Sequence, residues 1–100
     1  ITDAGAALDL AMSVQYETGA SRLAIDKRLV CSDFFILSTG VAGDILQKLM
    51  NYRFKAAIYG DYSHYASKPL RDFIRESNHG KDFFFVSTME EAVQRLTDAE

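Results

Sequence analysis

Three groups of residues in this chain are of types that could do chemistry. The first is Ser38-Thr39-Gly40, a pair of hydroxyls followed by glycine at the start of an apolar periodic segment. A hydroxyl at a helix start can cap the helix or accept a phosphoryl group. Phosphate would add nearly two negative charges and reset a docking surface. The second is the loop Gly60-Asp61-Tyr62-Ser63-His64-Tyr65, in which an imidazole lies near a carboxylate. Such a pair can exchange protons near neutral pH. Asp26 ends a separate apolar run, and with Asp61 and His64 it makes a candidate ligand-binding edge. The third is Cys31, followed by Ser32-Asp33. A thiolate nucleophile needs a positioned base or a depressed pKa, and no motif supplies either, so Cys31 reads as a structural thiol.

Other chemistries find little support. Two histidines and one cysteine offer no metal-ligand spacing, so no metal and no cofactor is expected. There is no phosphate-binding glycine loop and no nucleophile elbow. Eleven basic residues against fourteen acidic ones give a net charge of −3, unlike the basic footprint of a nucleic-acid binder. The segment from Arg53 to Lys81 is locally basic and reads as a solvated face. No apolar run approaches ~18 residues, so no membrane span is expected. A lone cysteine suits a reducing compartment, and a cytoplasmic location is expected.

These residues need a scaffold, and the hydrophobic pattern describes one. With 48% hydrophobic residues over 100 positions, residues 1–100 read as one α/β domain with its own core. Thr2 or Asp3 caps a first helix over residues 3–18, with Leu8, Ala11, Met12 and Tyr16 on its buried face and Gly19 as terminator. Residues 22–26 form a buried strand. Ser32-Asp33 cap a short turn that buries Phe34 and Phe35. Ser38-Thr39 open a second helix on the stripe Val41, Ile45, Leu49 and Tyr52. Gly40 and Gly43 in its first turns point to close packing or an approaching ligand or partner backbone.

Residues 56–59 form a second strand. Ser67 caps a third helix, with Pro69 in its first turn and Leu70, Phe73 and Ile74 inward. Residues 83–86, Phe-Phe-Phe-Val, are apolar throughout and read as the central strand. Ser87 and Glu90 form a capping box for a last helix burying Met89, Ala92, Val93 and Leu96. Ile25, Ile45, Leu49, Ile58, Phe73, Phe84 and Val93 form the expected core. The order is αβαβαβα with a mainly parallel sheet, since each strand–helix–strand unit needs a crossover. The chain opens on Ile1 at a helix-start signal, and an upstream segment is expected.

The runs Val14-Gln15-Tyr16-Glu17-Thr18-Gly19, Leu37 to Lys48 and Asp72-Phe73-Ile74-Arg75-Glu76-Ser77-Asn78 resemble a bacterial family of unknown function, domain-of-unknown-function family 4180. The resemblance covers nearly the whole chain. It implies an N-terminal stretch of two further strands and no established activity. More distantly, Leu37-Ser38-Thr39-Gly40 and the tail from Phe83 to Leu96 resemble STAS domains, the fold of anti-sigma-factor antagonists. Thr39 matches a phosphorylatable Ser or Thr of that pattern, and Leu37 stands where the pattern has Asp. This likeness implies a STAS-like α/β fold and control of protein binding by phosphorylation.

Two functional readings follow. One is a non-catalytic, STAS-like regulatory module that binds a protein partner through Ser38, Thr39 and the adjacent helix. The other is a small-ligand binder or enzyme using the Asp26, Asp61 and His64 edge. A homodimer is compatible with either.

Overall fold

A computed structural model describes residues 3–99. Four helices alternate with three strands in the expected order. Helix α1 spans Ala4–Thr18, β1 Arg22–Asp26, α2 Val41–Asn51, β2 Lys55–Tyr59, α3 Lys68–His79, β3 Phe83–Val86 and α4 Met89–Asp98. Three short 3-10 turns, Lys27–Leu29, Ser32–Phe35 and Leu37–Thr39, connect β1 to α2. No helix among the described residues is long and apolar enough to cross a membrane.

The strands are parallel and lie in the order β1-β2-β3. Arg22 is opposite Lys55 and Asp26 opposite Tyr59, while Ala56 is opposite Phe83 and Tyr59 opposite Val86. The expectation that Phe83–Val86 is the central strand is therefore corrected: β2 is central and β3 lies at an edge. Its apolar run has another cause. Phe85 joins one core cluster and Phe84 and Val86 the other, so an edge strand is covered on both faces.

Because side chains alternate along a strand, the sheet presents two faces. On one face Leu23, Ile25, Ala56, Ile58 and Phe85 meet Ala7 and Ala11 of α1, Ala42, Ile45, Leu46 and Leu49 of α2, Leu70 of α3, and Phe34, Phe35 and Phe54. On the other, Ala57, Phe84 and Val86 meet Ala92 and Leu96 of α4 alone. Of the expected core, Ile25, Ile45, Leu49, Ile58 and Phe84 are buried and Phe73 is half-buried. Val93 is corrected, being 51% exposed, and so is Met89 at 52%. One helix across a narrow sheet buries a two-residue stripe, and these two side chains fall beside it.

The α1 face is also narrower than its pattern suggests. Ala7 and Ala11 are buried against α2, Leu8 and Val14 are half-buried, and Met12 and Tyr16 are exposed, Tyr16 by 92%. Asp3 caps the helix, accepting a hydrogen bond from the Ala6 N–H at 2.8 Å. Thr2 lies outside the described residues. Ser67 caps α3 as expected. At α4 the cap is Thr88 rather than Ser87, and its hydroxyl accepts from the Glu91 N–H at 3.2 Å. The turn at Ser32–Phe35 buries both phenylalanines, but its side chains supply no cap. Phe34 and Phe35 meet edge-on, with ring centroids 4.9 Å apart.

Candidate functional site

Parallel strands place all three carboxyl ends on one side of the molecule, where open α/β sheets hold their ligands. Three connections meet there: the 3-10 turns after β1, the loop after β2, and Ser87-Thr88 after β3.

The connection after β1 carries Ser38-Thr39-Gly40. Neither hydroxyl opens the helix, which corrects the expected cap. Both lie in the 3-10 turn, and α2 begins two residues after Thr39. Gly40 stands between at φ 77°, a left-handed conformation that only glycine takes without strain. This conformation accounts for Gly40. At Gly43 a Cβ would meet open space, and nothing in the structure explains the glycine.

The two hydroxyls do different things. Thr39 Oγ1 is 2.8 Å from the carbonyls of both Asp33 and Ile36, so its single proton serves one at a time, and it accepts from the Val41 N–H at 3.3 Å. It latches two turns to the start of α2. Ser38 is exposed, and its hydroxyl makes no hydrogen bond among the described residues. Ile36, 51% exposed, lies beside them in sequence.

The candidate ligand edge is not one constellation. Asp26 takes three hydrogen-bond contacts from the Arg28 guanidinium, reaching both of its oxygens, the closest at 2.7 Å, and one from the Arg28 backbone N–H at 2.9 Å. These bonds and the neighbouring charge hold its carboxyl below the usual range. Asp61 accepts from the Ser63 N–H at 2.8 Å, as in an Asx turn. Hydrogen bonding by the Ser63 side chain, then by its backbone N–H, lowers its pKa, assisted by the charges of His64 and Lys27. His64 packs on Tyr65, with ring centroids 4.3 Å apart. Asp61 and His64 therefore share a loop without an Asp–His hydrogen bond between them, and Asp26 is engaged elsewhere.

The residue that binds these loops together is Lys27, which sequence reasoning missed. Its ammonium lies 4.7 Å from the Tyr65 ring, 5.4 Å from Phe35 and 5.7 Å from Tyr62. Each contact is in cation–π range. Its stem crosses Gly60, where a Cβ would come within 2.7 Å of Lys27 Cβ, so glycine is required for this seat. Tyr62 donates from its hydroxyl to the Ile58 carbonyl at 2.6 Å, and burial pushes its pKa above the ordinary tyrosine value. The available signal was a lysine next to a strand end, with aromatics clustered in two loops.

An open depression of about 380 Å³ lies beside this cluster, lined by Gly60, Asp61, Tyr62, Ser63 and Ser87. Neither Asp26 nor His64 lines it. Cys31 is half-buried. Among the described residues no group of three or more His, Cys, Asp or Glu side chains could hold a metal ion.

No curated protein and no solved structure matches the chain. Residues 1–96 match the family described as Domain of unknown function (DUF4180), and the chain belongs to that family.

Proposed function

We propose that the chain is a non-catalytic regulatory module of STAS-like type, which binds a protein partner through the turn Leu37–Gly40 and the neighbouring Ile36. The carrying observation is the division of labour between adjacent hydroxyls. Thr39 ties the turn to the carbonyls of Asp33 and Ile36, and Ser38 is exposed with no hydrogen bond among the described residues. A presented hydroxyl on a pinned turn, next to an exposed isoleucine, suits a docking face under phosphate control. Ser38, rather than Thr39, is then the phospho-acceptor, because modifying Thr39 would remove the donor that anchors the turn.

Electrostatics permit the modification. A dianion ahead of α2 gains about 0.3–1 kcal/mol from a helix N-terminus when near enough to its first turn. Asp44 in that turn opposes it. The fold then tolerates the charge, while an apolar partner face does not.

The test is phosphosite mapping on protein from its native cell, with affinity capture by the wild type, Ser38→Ala and Ser38→Glu. The expected result is phosphate on Ser38, capture retained by Ser38→Ala, and capture weakened by Ser38→Glu. Equal capture by both variants refutes the proposal.

A further inference from the structure

Strands β2 and β3 are hydrogen-bonded neighbours, but the chain leaves them toward opposite faces of the sheet. After β2 it turns to α3, whose Leu70, Phe73 and Ile74 pack on the face that holds Ile58 and Phe85. After β3 it turns to α4, whose Ala92 and Leu96 pack on the other face, against Ala57, Phe84 and Val86. The Gly60 N–H bonds to the Val86 carbonyl at 3.0 Å and closes the ladder at this end. Beyond it the two connections part. In open parallel sheets such a switch point opens a crevice outside the carboxyl ends of the strands, and ligands bind there. The depression of about 380 Å³ lies at this place, since Gly60, Asp61, Tyr62 and Ser63 come from one connection and Ser87 from the other. Its volume falls within the range of about 300–1,000 Å³ that small-molecule sites occupy.

The lining identifies the ligand class. Asp61 accepts from the Ser63 N–H at 2.8 Å, and hydrogen bonds from Ser63 favour the ionised carboxylate. Asp61 is exposed, and a carboxylate has about four acceptor sites, more than one serine fills. Ser87 is exposed as well. Thr88 caps α4 in its place, and the Ser87 hydroxyl makes no hydrogen bond among the described residues. Tyr62 spends its hydroxyl on the Ile58 carbonyl, which leaves its ring as the apolar wall. An anion is disfavoured, because Asp61 is the charge on the lining and Glu90 and Glu91 already answer the N-terminus of α4. A cation is disfavoured too, because Lys27, whose stem abuts Gly60, already supplies a positive charge to Asp61. What remains is a neutral molecule rich in hydroxyl donors, with a C–H face for the tyrosine ring.

We infer that the crevice between the carboxyl ends of β2 and β3 binds a polyol of monosaccharide size, with vicinal hydroxyls donating to Asp61 and a further hydroxyl bonded to Ser87. The site lies apart from the Ser38 turn in sequence and does not depend on the reading given to that turn. Hydrogen bonds to a carboxylate are stronger than neutral ones, so Asp61 carries more of the affinity than Ser87. The depression is open, and binding falls in the millimolar range.

Amide chemical shifts of the chain, followed by NMR during titration with D-ribose, D-glucose and myo-inositol, test this. At least one of the three should shift the amides of Gly60 to Ser63 and of Ser87 to Met89 saturably by about 50 mM. Asp61→Asn keeps an oxygen for the Ser63 N–H and removes the charge, and it should weaken binding about tenfold. Ser87→Ala should keep the melting behaviour and weaken binding about 3–10-fold. His64→Ala, outside the depression, should bind as the wild type does. Inorganic phosphate and choline chloride at the same concentrations should leave these amides in place. No saturable shift with any of the three polyols overturns the inference. So do shifts indifferent to both Asp61→Asn and Ser87→Ala. Tighter binding of phosphate or choline than of every polyol overturns it too.

Discussion

Replacing Asn78 by alanine isolates the device that closes the β3 edge. Its amide makes two part-buried hydrogen bonds to Phe85. Each is worth about 1 kcal/mol net, and rather more where the abandoned group stays dry. Alanine recovers about 0.6 kcal/mol of helix propensity, less so near the end of α3. The expected loss is thus about 2 kcal/mol, or roughly 8–16 °C in Tm for a domain of this size. The Asn78 backbone carbonyl, which accepts from Arg95, is untouched by the substitution. Denaturant melts read the stability, and amide hydrogen exchange reads the site. Protection of the Phe85 amide should fall steeply, while that of Phe84, turned toward β2, should follow only the global change. A loss below about 0.5 kcal/mol with Phe85 still protected would refute the reasoning.

Ile45, 4% exposed among Leu23, Phe34 and Leu49, should cost about 2–5 kcal/mol when cut to alanine, against under about 0.5 kcal/mol for Val93→Ala in the isolated chain. Thr39→Ala should fold but lose about 1 kcal/mol in melts through its latch to Asp33 and Ile36. Acid stability should follow Asp26 and Asp72. Arg28 lowers the first and Lys68, with Arg71 and Arg75, the second, so each favours the fold above the ordinary carboxylate value of ~3.9. That contribution is lost as pH falls through the lowered folded values, and acid titration of the Asp26→Asn, Asp72→Asn double variant should show a flatter limb.

The elements were legible because their signals are local. The strand at residues 22–26 is bounded as expected, and the strand at 83–86 likewise, because apolar runs between turn signals read directly as buried strands. Strand order was not legible. An apolar run reports burial on two faces, and β3 obtains that from α3 and α4 while sitting at an edge. The width of a helix's buried face was equally hidden. Val93 has the same periodicity as Ala92 and Leu96, and only the lateral extent of the sheet decides that it stays outside. The cap at Thr88 was misplaced by one residue, since Ser87 and Thr88 offer the same oxygen chemistry.

The candidate site was legible in place but not in wiring. The sequence placed Asp26 at a strand end and Asp61 and His64 in the loop after β2, as found, but put Ser38 and Thr39 at the start of a helix that begins only at Val41. Which groups are engaged depends on distances across loops. Thr39 reaches back six residues to Asp33, and Lys27 crosses to Tyr62 and Tyr65 from another connection. No periodicity encodes such contacts. Lys27 was missed because a lysine after a strand reads as solvent-facing until the aromatics around it are known to converge.

Asp26 limits what the carboxyl end of the sheet can bind. It ends β1, and its carboxylate stands at the carboxyl end of the sheet. Arg28 already takes both carboxylate oxygens there. That pairing leaves the carboxylate little capacity for a small ligand. Lys27, immediately after it, has its ammonium over aromatic rings. The first two charged residues after β1 are thus both committed to structure. What the β1–α2 connection offers a partner lies further along, at Ile36 and Ser38, on a turn whose position Thr39 fixes. Asp26→Asn should therefore leave capture through the Ser38 turn at the wild-type level in the same affinity assay, and a loss of capture there would show that Asp26 belongs to the docking face.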